Sequence, residues 1–349
     1  MPPTWPRSGA ELVSELTELL DAAEALAARG HPMALATVVS TRGSTYRRAG
    51  ARLLVPAEGE PLGNISGGCL EGDVARIGRE VIASGEPRTV EFDMTADDDA
   101  VWGYGLGCNG AIELFVEPTA GALESVGALR SGEGACLVIP LSGPDVGFHR
   151  LETDGAAGAA LGEGSPRVEE VDGERVYYEP LLPPLRLLVC GAGHDAIPLV
   201  RQAFGLGWRV VVVDVRGALL TSERFGAGVD FADPNPEAAA DALAPDSRTA
   251  AVLMSHNYLR DIAYLRSFLD RPLAYLGVLG PRGRTEQMLA EIGAPEAISR
   301  LHAPAGLDIG AEGPEEVAHA IIGEILAVVR GREGGPLRER SGPIHDIAG

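Results

Sequence analysis

The chain has 349 residues, room for two domains of ~150 residues each, and its 45% hydrophobic content is enough to build two cores. A formal net charge of −21 excludes a general nucleic-acid binder, which needs a basic face to meet phosphates. No run of 18 apolar residues occurs, so no membrane-spanning helix is expected, and four cysteines without a CxxC pair make neither a disulfide framework nor a zinc site. Residues 1–9 lack the basic and apolar regions of a secretory leader, so a cytoplasmic location is expected.

Ser8 can cap a first helix running to about Ala28, with Leu12, Leu16, Leu19, Leu20, Ala23 and Leu26 inward, stopped by Gly30 and Pro32. Met33 to Ser40 and Ala51 to Val55 read as strands on either side of a basic loop, Arg42 to Arg48. Gly63 to Asp73 follows, with Cys69 directly after Gly67 and Gly68. Leu70, Val74, Ile77 and Val81 then mark one face of a helix. Cys69 is therefore expected near a helix N-terminus, where outward N–H groups favour a thiolate able to bind metal or sulfur. The bare glycines would let backbone N–H groups reach a ligand. A small buried cysteine in a tight turn is the plain alternative.

Thr89 to Phe92 reads as a strand, and Asp97 to Asp99 as a solvated acidic loop. A second glycine-rich segment around Gly107 and Cys108 runs into the strand Ala111 to Val116 and repeats the design of the first loop. Two such loops are hard to explain by packing alone. Ala135 to Pro140 and Arg175 to Tyr178 read as strands, Cys136 as core, and the Gly/Ala-rich stretch 154–165 as a mobile loop.

Leu181-Leu182-Pro183-Pro184 is a natural boundary, after which strands and helices alternate. Arg186 to Cys190 is a strand, Gly191-Ala192-Gly193-His194-Asp195-Ala196 opens a helix to about Phe204, and Arg209 to Val213 ends in Asp214. This strand–turn–helix–strand pattern, with its glycines and terminal acid, is that of a dinucleotide-binding unit. The glycines permit close approach of a pyrophosphate, and the acid can bind ribose hydroxyls. Further strands, Thr249 to Met254 and Leu273 to Leu279, lead into loops with His256 and with Gly280, Arg282 and Arg284, at the sheet edge where such folds bind ligands. His256 can serve there as an acid–base group or a hydrogen-bonding post, and an arginine at the helix start can hold an anion. A last helix from Gly313-Pro314 to about Arg330 precedes a polar tail. The expected fold is α/β: an N-terminal α+β domain over residues 1–183, a Rossmann-like doubly wound parallel sheet over 184–331, and a tail over 332–349.

Gly43-Ser44-Thr45, Ile65-Ser66-Gly67-Gly68-Cys69-Leu70-Glu71-Gly72 and Gly105-Leu106-Gly107-Cys108 together resemble the XdhC/CoxI family. The second half is similar to that family's Rossmann domain in Gly191 to His194, Ser255-His256-Asn257-Tyr258 with Asp261, Gly277 to Arg282, and Leu301-His302-Ala303-Pro304. Tyr46-Arg47 and Asn109 depart from the family pattern. The resemblance implies an accessory factor that binds molybdenum cofactor, supports its sulfuration by a cysteine desulfurase and inserts it into a xanthine dehydrogenase-like molybdenum hydroxylase. It makes Cys69 the candidate molybdenum contact and Cys108 the second thiol, with Ser66, Gly67, Gly68, Glu71 and Gly107 around them. Gly191, Gly193, His194, Asp214, His256, Gly280 and Arg282 would line the Rossmann site, where NAD(P) is a further candidate cofactor. A homodimer is expected on general grounds. Two other readings stand beside this one: an NAD(P)-dependent oxidoreductase using His256, and a sulfur- or nucleotidyl-transferring enzyme with Cys69 as carrier.

Overall fold

A computed structural model describes residues 15–43, 45–94, 110–119, 134–163 and 165–340. These fall into two compact units, Glu15–Pro183 and the residues from Pro184 onward.

The first unit begins with α1 (Glu15–Ala28), whose Leu19, Leu20 and Ala23 are buried as the periodicity predicts. Five antiparallel strands follow: β1 (Met33–Gly43), β2 (Arg52–Pro56), β3 (Leu62–Gly63), β4 (Arg88–Asp93) and β5 (Gly110–Pro118), in the order β3-β2-β1-β5-β4. Helix α2 (Glu71–Ser84) lies across this sheet. Its Leu70, Val74, Ile77 and Val81 stripe joins Ala34, Ala36, Val38, Leu53, Val55 and Leu114 in one apolar core. The approach is close enough that a Cβ at Gly78 would lie 2.9 Å from the Val55 side chain.

A second sheet consists of β6 (Ala135–Pro140), β7 (Arg150–Glu152), β8 (Arg167–Val171) and β9 (Glu174–Leu181), ordered β7-β6-β9-β8, with α3 (Gly155–Glu163) packed on it. The helix corrects the expectation of a mobile loop at 154–165. Ala157 and Ala160 are buried against Cys136, Val138 and Val176, so small residues are what lets α3 sit on the strands. The opposite face of this sheet, through Leu137, Ile139 and Tyr177, packs on Val39 and Phe115 of the first. A buried ion pair crosses between the sheets: Arg52 on β2 donates to Glu179 on β9 at 2.9 and 2.5 Å, both side chains under a tenth exposed. Burial works against the Arg52 charge, but Glu179 outweighs it and raises the guanidinium pKa.

The second unit is a parallel sheet of β10 (Arg186–Cys190), β11 (Arg209–Val213), β12 (Asp230–Ala232), β13 (Thr249–Leu253) and β14 (Tyr275–Val278), ordered β12-β11-β10-β13-β14. Its helices are α4 (Ala196–Gly205), α5 (Ser222–Phe225), α6 (Ala239–Leu243), α7 (Tyr258–Phe268), α8 (Arg282–Ile292) and α9 (Pro314–Val329). Alternate strand residues serve the two faces, as a pleated sheet requires. Leu187, Val189, Val210 and Val212 pack with α4 and α9, while Leu188, Cys190, Val211 and Val213 pack with α6, α7 and α8. Beyond β14 the chain adds a rudimentary sixth parallel segment: His302 bridges Gly277, and Val278 donates to the His302 carbonyl at 2.9 Å. Among the described residues no helix is long and apolar enough to cross a membrane.

Candidate functional site

In the first unit the site is the turn that feeds α2. Leu70 occupies the N-cap position but has no side chain that can cap, and Glu71, the first helical residue, takes over that work by folding back. Its Oε1 accepts from the N–H groups of Ile65 (3.1 Å) and Ser66 (2.9 Å). Its Oε2 accepts from the Ser66 hydroxyl (2.5 Å) and the Leu70 N–H (3.1 Å). Partial burial works against the Glu71 carboxylate, but these bonds hold its pKa below the ordinary value. The Gly67 N–H is taken by Asn64 Oδ1 at 2.8 Å.

Gly67 and Gly68 have φ of 77° and 105°, left-handed values that side chains tolerate poorly. A Cβ at Gly67 would press on the Tyr46 ring at 3.3 Å, whereas one at Gly68 would meet nothing within 4 Å. Cys69 follows, half-buried, leaning on the core of the α2 face. The N–H groups of Gly68 and Cys69 make no hydrogen bond among the described residues. The turn thus presents a thiol, an open glycine and two backbone donors. That donor set suits a soft metal centre bearing anionic groups.

The other described cysteines are of a different kind. Burial pushes the Cys136 thiol up to about 11 and the Cys190 thiol higher still, and both lie in cores. Gly107 and Cys108 lie outside the described residues. No group of three or more His, Cys, Asp or Glu side chains placed to hold a metal ion occurs among the described residues.

In the second unit, the chain leaves β10 toward β11 and leaves β13 toward β14, in opposite directions across the sheet. The crevice therefore opens between the loops that follow β10 and β13. Gly191 (φ 134°) closes against the other loop, and a Cβ there would lie 2.4 Å from the Met254 carbonyl oxygen. Asp195, the N-cap of α4, makes no cap bond; its carboxylate reaches His256 Nε2 at 2.6 Å and lies over the bare Gly193. His256 is one of the few non-glycine residues at positive φ (54°), and its side chain is largely exposed.

Behind it, Ser255 donates to the buried Asp261 through both N–H (3.1 Å) and hydroxyl (2.6 Å), and Arg284 donates to Asp261 at 2.7 Å. Arg284 packs beside Gly280, 3.7 Å from where a Cβ there would lie. Arg282 does not join this network; it pairs with Glu286 along its own helix. His194 is exposed on the turn. Asp214 is turned inward, accepting from the Ala192 N–H at 2.8 Å and from Arg216 Nε and Nη2 at 2.9 and 2.6 Å. Burial alone would raise its carboxyl, but the Arg216 and Ala192 bonds bring it down to about 2.

Comparison with known proteins agrees with both halves. Residues 26–93 match the XdhC and CoxI family, and residues 187–325 match the XdhC Rossmann domain. A Bacillus subtilis (strain 168) protein named as a probable xanthine dehydrogenase subunit is 33% identical over 310 residues, covering 84% of this chain and 92% of that protein. The chain belongs to the XdhC and CoxI family. A second relative in Escherichia coli (strain K12), the molybdenum cofactor insertion chaperone PaoD, is 25% identical over 317 residues, covering 89% of this chain and 88% of its own. A solved structure from Bacillus halodurans, titled a xanthine dehydrogenase, superposes with a TM-score of 0.75 at 30% identity, covering 92% of this chain and 97% of its own.

The XdhC and CoxI match contains the whole Cys69 turn, and the Rossmann match contains the whole crevice. Within the family frame, three participants escape a reading of the sequence: Asp195, Arg216 and the structural use of Glu71. Asp195 and Arg216 each lie one or two residues from a motif position and look like surface charge. The only hint for Asp195 is its place at a helix start, where an aspartate is expected to cap and here does not.

Proposed function

We propose that this member of the XdhC and CoxI family carries molybdenum cofactor as cargo on the Cys69 turn, supports its sulfuration by a cysteine desulfurase and delivers it to a xanthine dehydrogenase-like molybdenum hydroxylase. The observation that carries the reading is the turn itself: a half-buried cysteine beside a glycine whose outer face is open, next to two N–H groups without partners among the described residues. A thiolate is a suitable ligand for molybdenum, and backbone donors suit the oxygen and phosphate groups of the pterin. Ser66 and Glu71 hold the turn rather than face the cargo. The names of the Bacillus subtilis and Escherichia coli relatives support the client class and the cargo. Delivery takes place in the cytoplasm, by a homodimer.

The test is equilibrium binding of purified molybdenum cofactor to the full chain and to Cys69→Ala, followed by reconstitution of an apo molybdenum hydroxylase. Binding should fall at least ~10-fold in the variant, the equivalent of one lost metal contact. Undiminished binding in Cys69→Ala would move the contact elsewhere. Nicotinamide binding with no cofactor binding at all would favour the oxidoreductase, for which the His256–Asp195 pair at the crevice is the supporting feature.

A further inference from the structure

In sheets of this topology the acid ending the second strand holds the hydroxyls of a nucleotide ribose. Here that acid is unavailable. The Asp214 side chain is 1% exposed and both its oxygens are occupied, while the Arg216 guanidinium that covers it is 42% exposed. Two more arginines converge on the same corner. Arg260 Nη1 lies 3.9 Å from Asp214 Oδ1. Arg224 Nη2 donates to the Ala192 carbonyl at 3.1 Å, and its buried Nε has no hydrogen-bond partner among the described residues. Two guanidinium groups thus face Asp214 and a third lies at the adjoining Ala192, so cations outnumber the one buried carboxylate at this corner, in a chain whose net charge is −21. The residues adjoining these arginines, Val215 and Leu259, expose apolar surface suited to a base.

We propose that this corner binds a nucleotide phosphorylated on the ribose 2′ position, as in the NADP class, with Arg216 as the residue that recognises the 2′-phosphate. A phosphate suits this cluster of cations, and the planar guanidinium can turn one edge to the phosphate while keeping a hydrogen bond to Asp214. Asp214 is then the post that orients Arg216, not the ribose ligand. The 5′ end meets the Asp195 carboxylate over Gly193, a like charge, so recognition depends on the 2′ end. This inference does not rest on the cargo reading: it concerns the second unit and is read with ligands that contain no molybdenum.

The experiment is calorimetric titration of the full chain with 2′,5′-ADP, 3′,5′-ADP and 5′-AMP. The wild type should bind 2′,5′-ADP at least ~10-fold tighter than either of the others, a difference of one charge-assisted contact. Arg216→Ala should reduce 2′,5′-ADP to the level of 5′-AMP, and Arg260→Ala should weaken it less. Should Arg216→Ala fail to fold, the wild-type comparison decides alone. Equal affinity for the three ligands, tighter binding of 5′-AMP or 3′,5′-ADP, or binding of none of them would overturn the proposal and leave Arg216 a cover for a buried acid.

Discussion

Replacing Glu71 by alanine tests the argument about the cysteine turn most directly. The carboxylate accepts four hydrogen bonds, three of them from backbone N–H groups of Ile65, Ser66 and Leu70. At ~1.5 kcal/mol for each bond to a charged acceptor, the gross loss is roughly 6 kcal/mol. Glu71 is only half-buried, so water can reach the orphaned donors, and Ser66 Oγ still accepts from Leu70 at 2.8 Å. A net local loss of about 2–3 kcal/mol is therefore expected. Hydrogen exchange read by mass spectrometry on peptides spanning 63–75 should show these amides exchanging ~30- to 150-fold faster, the kinetic equivalent of that free energy. Alkylation of Cys69, followed on the same peptides, should accelerate too. Glu71→Gln keeps the size but turns a donor toward donors, and should fall between. Unchanged exchange at Ile65, Ser66 and Leu70 in Glu71→Ala would refute the view that this side chain shapes the turn.

Removing one partner of the buried Arg52–Glu179 pair, as in Arg52→Met or Glu179→Gln, should cost ~3–5 kcal/mol in urea unfolding of the first unit. The double variant should recover much of that loss, because no uncompensated charge then remains buried. Gly191→Ala places a Cβ against the Met254 carbonyl at a φ that resists side chains, and should lower the melting temperature of the second unit by several degrees or abolish its folding, visible by circular dichroism. The Asp214 carboxyl, near 2 when folded against its ordinary 3.8, contributes about 2 kcal/mol that is fully present above pH 4. As pH falls from about 4 through 2 the unfolded chain takes up the proton first, so this contribution is lost. Acid titration of stability should show that slope in the wild type, and Asp214→Asn should flatten it.

Much of this was legible because it is local. The α2 stripe, the alternating strands of the second unit and the glycine turn after β10 each declare themselves within a dozen residues. Helix α3 did not, since a run of glycine and alanine carries no apolar period; only the strands it covers explain why it is helical. Strand β12 is three residues long and lies below what patterning resolves. The same limit applied to the site. Cys69, Gly68, Gly191 and His256 stand out by type and spacing, but the acceptor set of Glu71, the Asp195–His256 bond across 61 residues and the cover of Arg216 over Asp214 depend on distances that no linear pattern contains. Arg282 and Arg284, two positions apart, were indistinguishable until the helix phase sent one to Asp261 and the other along the surface.

The fold-back of Glu71 has a kinetic meaning. A turn tied by a side chain of its own helix is ordered before anything binds, so on the proposed reading loading would cost little ordering of the chain. On the proposed reading, the residence time of the cargo would be governed by its own contacts, chiefly with Cys69, and not by the opening of a loop. Handover of such a cargo would then be tuned one bond at a time.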